Sequence, residues 1–128
     1  QPHTRAWSAK IAGADAFVFV TPQYNWGYPA PLKNAIDHLH AEWRGKPLVI
    51  VSYGGHGGGK CAAQLRQVAE GLKMRVVPAM PGITLPESVI RGAPIDPEAD
   101  LGGQAAPIRQ AFAELAAALA ETGTPPSP

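Results

Sequence analysis

Two short segments hold most of the residues whose types suit a ligand: "PQYNWGYP" at 22–29 and "SYGGHGGG" at 52–59. In the second, five of the seven residues 53–59 are glycine. Glycine frees the φ angle, so successive backbone N–H groups can converge on an anion. A helix beginning near Lys60 would add its positive end. The run matches neither a Walker loop nor G-x-G-x-x-G in a first strand-helix turn. In the first segment, Tyr24, Trp26 and Tyr28 offer flat faces, and Gln23 and Asn25 can hold the polar edge of a planar ligand. Tyr24 and Asn25 come directly after a strand end. Trp26 and Tyr28 fit a ligand or a contact with a neighbouring helix or subunit equally well. His56 either donates to a ligand or faces water. Other chemistry finds little support. No Ser-His-Asp order is recognisable, and Ser52 is not in a G-x-S-x-G elbow. His38 and His40, two apart on a helix, point to different faces and make a poor zinc pair. Lys33 and Asp37 read as a surface pair. The expectation is therefore no metal, no catalytic side chain, and a planar group whose own chemistry the protein harnesses.

Strands and helices must position these loops. "AFVFV" at 16–20 reads as a strand buried on both faces, being apolar, β-branched and short. "LVIVS" at 48–52 reads as a second and "RVVPAM" at 75–80 as a third, with Pro78 marking an edge or an end. Thr4 is placed as the cap of a first helix with Trp7 and Ile11 on one face, ending near Gly13 as a left-handed terminator. Pro29 and Pro31 suit the first turn of a second, whose stripe Leu32, Ile36, Leu39 and Trp43 runs to Gly45 and Pro47. A third helix carries Leu65, Val68 and Leu72. Residues 81–103 read as a long loop. A last helix from about Gln104 aligns Ile108, Phe112, Leu115 and Leu119. The expected domain is 1–121, with 122–128 a disordered tail. Alternation of helix and strand implies an α/β fold, a parallel sheet with helices on both faces. Ligands of such sheets bind at the carboxyl ends of the strands. Both unusual segments leave from carboxyl ends, so they should lie side by side.

The chain has 128 residues, with 11 Lys and Arg against 10 Asp and Glu and no run of like charge. Nucleic acid or an anionic membrane is a poor match for that balance. Apolar stretches of about five residues fall far short of the roughly 20 that span a bilayer. Cys61 is the single cysteine, read as a small buried residue, and a reducing, cytoplasmic setting fits.

The run from "ADAFVFVTPQYNWGYPAPLKNAIDHLH" to "SYGGHGGGKCAAQLRQV" closely resembles the NAD(P)H-dependent FMN reductase family, and within it the fungal FMN and quinone reductases. The pair P-[EQ]-Y-N after one strand and S-Y-G-G-x-G-G after the next carries the resemblance. It is tight over about residues 4–77 and loose beyond Pro81. It implies a flavodoxin-like fold with parallel strand order 2-1-3-4-5, FMN at the carboxyl edge, and NAD(P)H as co-substrate. Pro22, Gln23, Tyr24 and Asn25 would flank the flavin; Ser52, Tyr53, Gly54, Gly55, Gly57 and Gly58 would form the second wall. Hydride would pass from NAD(P)H through the flavin to a small-molecule acceptor: a quinone, an azo compound or free flavin. A homodimer or tetramer is implied. The family's phosphate loop, a G-S-x-R-like run between its first strand and helix, has no match here. The three strands would then be the family's third, fourth and fifth, and the first strand-helix-strand unit is expected to be lacking. The alternative is a non-catalytic oligomeric remnant of the fold without a competent cofactor site.

Overall fold

The computed structural model describes residues 2–122. In chain order these form α1 (Pro2–Ala12), β1 (Phe17–Pro22), α2 (Ala30–Asp37), a 3-10 turn (Ala41–Trp43), β2 (Pro47–Gly54), α3 (Gly59–Gly71), β3 (Arg75–Val76), β4 (Gly82–Thr84), α4 (Glu87–Ile90), α5 (Pro97–Leu101), a second 3-10 turn (Gly102–Gln104) and α6 (Ala105–Thr122). Of the expected tail 122–128, Thr122 belongs to α6 and 123–128 lie outside the described residues.

β2 is the centre of the sheet. It pairs in parallel with β1 on one edge and with β3 and β4 on the other. Its side chains alternate between two cores. Leu48 and Ile50 join Ile11, Ile36, Trp43 and Leu65 under α1, α2 and α3. Val49 and Val51 join Val77, Ile83, Ala111 and Leu115 under α6. Helices thus cover both faces of a parallel sheet, and β2 is the buried-on-both-faces strand that an unbroken apolar run signifies.

β1 departs from that expectation. Phe17 and Phe19 pack into the first core, but Val18 and Val20 are 38% and 61% exposed. β1 lies at the edge of the sheet among the described residues, and the core under α6 includes no residue of β1. The third strand is likewise not continuous. β3 pairs with Pro47 and Leu48, β4 with Ser52 to Gly54, and the chain leaves the sheet between them. Pro78 and Pro81 have no N–H to give the ladder. Where the chain departs, Glu114 of α6 accepts the Ala79 N–H at 2.7 Å. Past Pro81 the expected loop contains β4, α4 and α5.

The helices also differ in detail. α1 begins at Pro2, so Thr4 lies inside it, and Gly13 is not left-handed. Lys46 instead closes its end, donating to the carbonyls of Ile11, Ala12 and Ala14 at 2.7–2.9 Å. α2 stops at Asp37 rather than running to Trp43. Trp43 still reaches the core, because its indole N–H donates at 3.0 Å to the Ile36 carbonyl, which also accepts the Leu39 N–H. Its ring meets Trp7, Phe17 and Phe19 edge to face. On α6 the buried positions are Ala111 and Leu115, whereas Phe112 is 48% exposed.

Trp43 thus joins α1, α2 and β1. Trp43→Ala is expected to cost about 3–5 kcal/mol, read from urea denaturation of the whole chain. A loss under about 1 kcal/mol would show that the first core does not depend on it.

Candidate functional site

The two segments meet at the carboxyl ends of β1 and β2. Pro22 lies opposite Tyr53 in the register, and the Gln23 N–H donates to the Tyr53 carbonyl at 3.1 Å. Gln23 also fastens its loop to the next helix, since its side-chain carbonyl accepts the Cys61 N–H of α3 at 3.0 Å. The Pro22 carbonyl accepts from the Thr21 hydroxyl at 2.9 Å and from the Cys61 thiol at 3.5 Å.

After β2 the chain turns so tightly that side chains are excluded. Gly57 and Gly58 have φ of +81° and +72°, left-handed values that favour glycine. A Cβ on Gly58 would stand 2.7 Å from Ser52 Cβ, and a Cβ on Gly82 would strike the Gly57 carbonyl. Ser52 is fully buried and donates its hydroxyl to the Gly57 carbonyl at 2.8 Å. Gly57 N–H reaches back to the Gly54 carbonyl at 3.3 Å. Among the described residues, the N–H groups of Gly55, His56 and Gly58 meet no protein acceptor. Gly55 and His56 are exposed and Gly57 and Gly58 buried, so the turn presents bare backbone donors at its tip on a packed base.

The expected site residues separate into roles. Tyr24 and Asn25 are exposed at the mouth. Gly54 lies beside Gln23, the residue before them; a Cβ on Gly54 would be 3.9 Å from Gln23 Cβ. Ser52 points inward and Tyr53 packs with the second core, so both support the turn from behind. Tyr28 packs against the first core, and Trp26 stays 64% exposed. Asn25 and Trp26 have φ of +46° and +68°, forming a two-residue turn closed by hydrogen bonds of 2.7 and 2.8 Å between Tyr24 and Gly27. Gln64 of α3 donates to the Trp26 carbonyl at 3.1 Å.

Three neighbours of the site escape sequence reasoning. Ile90 of α4 is exposed beside Gly55; a Cβ there would lie 3.3 Å from its Cδ1. Gln104 pairs with both backbone groups of Thr84 at 2.8 and 2.9 Å, steadying β4 behind the turn. Lys60, directly after the glycines, lies over the Trp26 ring. Only Lys60 carried a signal, by adjacency to the glycine run. A separate hollow of about 440 Å³ between α1 and α2, lined by His3, Trp7, Asn34 and His38, touches neither segment.

A family profile described as NADPH-dependent FMN reductase matches residues 1–84, both segments included. The chain belongs to that family. It is 61% identical over 115 residues to an NAD(P)H-dependent FMN reductase of Schizosaccharomyces pombe, covering 90% of this chain and 58% of the relative. An NAD(P)H-dependent FMN reductase of Saccharomyces cerevisiae is 56% identical over 93 residues, 68% of this chain and 49% of the relative. The chain thus spans about half the length of the curated relatives it matches. A solved oxidoreductase of Corynebacterium diphtheriae superposes with a TM-score of 0.72 at 21% identity, over 94% of this chain and 64% of the other. That likeness concerns the fold, which is α/β and flavodoxin-like. No helix among the described residues is long and apolar enough to cross a membrane.

Cys61 lies under this site rather than in it. Burial pushes its thiol above the ordinary range, and its contact with the Thr21 hydroxyl offsets part of that rise. A raised value keeps the thiol protonated and unreactive at neutral pH. Disulfide-exchange labelling of the folded chain at pH 7.5 is expected to run at least about tenfold slower than after unfolding; equal rates would contradict the buried placement. Gly58→Ala is expected to destabilise the chain by about 1–3 kcal/mol through its left-handed backbone and the Ser52 contact. A neutral result in thermal or urea unfolding would mean that the turn is not pinned.

Proposed function

We propose that this chain supplies the flavin-ring site of an NAD(P)H-dependent reductase, with FMN held between the segments 22–25 and 54–58. One observation carries this reading. The Gly55, His56 and Gly58 N–H groups meet no protein acceptor, on a turn whose Gly54 approaches Gln23, next in the chain to the exposed Tyr24 and Asn25. Such an arrangement suits a flat group with a polar, electron-rich edge. When bound, FMN would supply hydride acceptance from NAD(P)H and electron delivery to the acceptor.

The protein's own residues would do the rest. Gly54 and Gly55, lacking side chains, would let the ring approach the backbone. The turn's N–H groups would stabilise negative charge on the ring, and being preorganised they need no rearrangement to do so. Tyr24 would cover the ring from the other segment, and Asn25 would hold its polar edge. Pro22, Gln23, Ser52, Tyr53 and Gly57 would act as the frame: Gln23 through α3, Ser52 through the Gly57 carbonyl, Tyr53 through the second core. No side chain is assigned as an acid or base, and none of this chain's residues is assigned to the FMN phosphate.

The acceptor proposed is a small oxidised molecule, a quinone, an azo compound or free flavin, since the mouth is open and flanked by exposed aromatic residues. The same reading includes a homodimer or tetramer in a cytoplasmic setting.

Titration of FMN into the purified chain, followed by flavin fluorescence, tests it together with NADPH oxidation in the presence of benzoquinone. Saturable binding and quinone-dependent oxidation are expected. A folded chain that takes up no FMN would overturn the proposal and favour a non-catalytic remnant of the fold.

A further inference from the structure

Beside the turn lies a cleft of about 330 Å³ lined by Gln23, Trp26, His56, Gly59 and Lys60. Three features set it apart from an ordinary surface groove. Its charge is one-sided, because the Lys60 ammonium lines it and no acidic side chain does. The Lys60 ammonium makes no ion pair among the described residues; it lies 3.2 Å from the centroid of the Trp26 ring. Thirdly, Trp26 is held out at 64% exposure on left-handed backbone.

That backbone is uncommon for a bulky aromatic residue. It persists because the surroundings over-determine it. The Tyr24–Gly27 hydrogen bonds close the turn, and Gln64 holds the Trp26 carbonyl. A Cβ on Gly27 would stand 3.2 Å from Gln64 Oε1, so the fit against α3 is close. The indole is thus presented to solvent by a built arrangement instead of folding into the first core as Tyr28 does.

We infer that this cleft receives the ADP-ribose half of the nicotinamide dinucleotide, with Lys60 and His56 on its phosphates and Trp26 against an aromatic ring. The inference rests on the reductase reading above and deepens it. A cation over an indole is held by the ring's negative face, a weaker hold than a charge-assisted hydrogen bond to phosphate. An arriving phosphate therefore draws the Lys60 ammonium off the indole, and the uncovered face can accept a ring. Gln23 and His56 belong both to this cleft and to the segments framing the flavin-ring site. A dinucleotide held here would have its other half beside that site.

FMN also carries a phosphate, so the experiment separates the two sources. ADP-ribose and FMN are each titrated into the whole chain by calorimetry, for the native protein, Lys60→Gln, Lys60→Arg and a surface control, Lys33→Gln. Lys60→Gln is expected to weaken ADP-ribose about three- to tenfold, to flatten its dependence on ionic strength, and to leave FMN affinity at the native value. Lys60→Arg restores most of the loss, and Lys33→Gln matches the native protein. ADP-ribose is also expected to quench tryptophan fluorescence in the native chain but not in Trp26→Phe. Unchanged ADP-ribose affinity in Lys60→Gln, or a loss confined to FMN, overturns the inference. If the native chain binds no FMN, the reductase reading fails, while the dependence of ADP-ribose on Lys60 still decides this one.

Discussion

Everything at the carboxyl edge depends on how closely two stretches of backbone approach behind the glycine turn. Gly57 passes against Gly82 and Gly58 against Ser52, at distances that leave no room for a Cβ on Gly58 or Gly82. The contact joins the end of β2 to the start of β4, and the buried Ser52 hydroxyl closes it on the Gly57 carbonyl. The turn is rigid because it is packed from behind. Glycine provides the conformation; Ser52 and Gly82 remove the freedom that glycine would otherwise retain.

Rigidity at this point spreads to the neighbouring segment. β1 and β2 end in register, and Gln23 ties the first segment to α3, the helix that the glycine turn begins. Gln64, one helical turn along from Lys60, holds the Trp26 carbonyl. The two segments are therefore not independent loops. They are the two ends of one hydrogen-bonded frame, and α3 is the member common to both. The chemistry proposed for the site needs little more than this, because a cofactor with its own reactivity asks the protein mainly for position and for preorganised donors.

Much of this was legible in the sequence where local pattern and tertiary context agree. β2 is an unbroken apolar run and is covered on both faces. The side-by-side placement of the segments follows from parallel topology alone. β1 has the same apolar run, yet Val18 and Val20 are exposed, because composition cannot say whether a strand has neighbours on both sides. The stripe from Leu32 to Trp43 gave the buried faces correctly but hid the break after Asp37, since a 3-10 turn can keep the same residues inward. Pro78 pointed to a strand end, but not to the return of the chain to β2 as β4. Trp26 and Tyr28, two apart and similar in type, were inseparable by sequence; one is packed and the other presented. Lys60 over Trp26 spans 34 positions, a pairing that only the fold creates.

The central claim is that the bare backbone donors of the glycine turn are where the flavin ring is held. Residue-resolved amide spectra of the 15N-labelled chain, recorded as FMN is added, test it directly. The cross-peaks of Gly55, His56 and Gly58 are expected to shift most, with smaller changes at Tyr24 and Asn25 and none along α6 beyond Phe112. Shifts centred elsewhere, such as the hollow between α1 and α2, with the glycine turn unmoved, would contradict it.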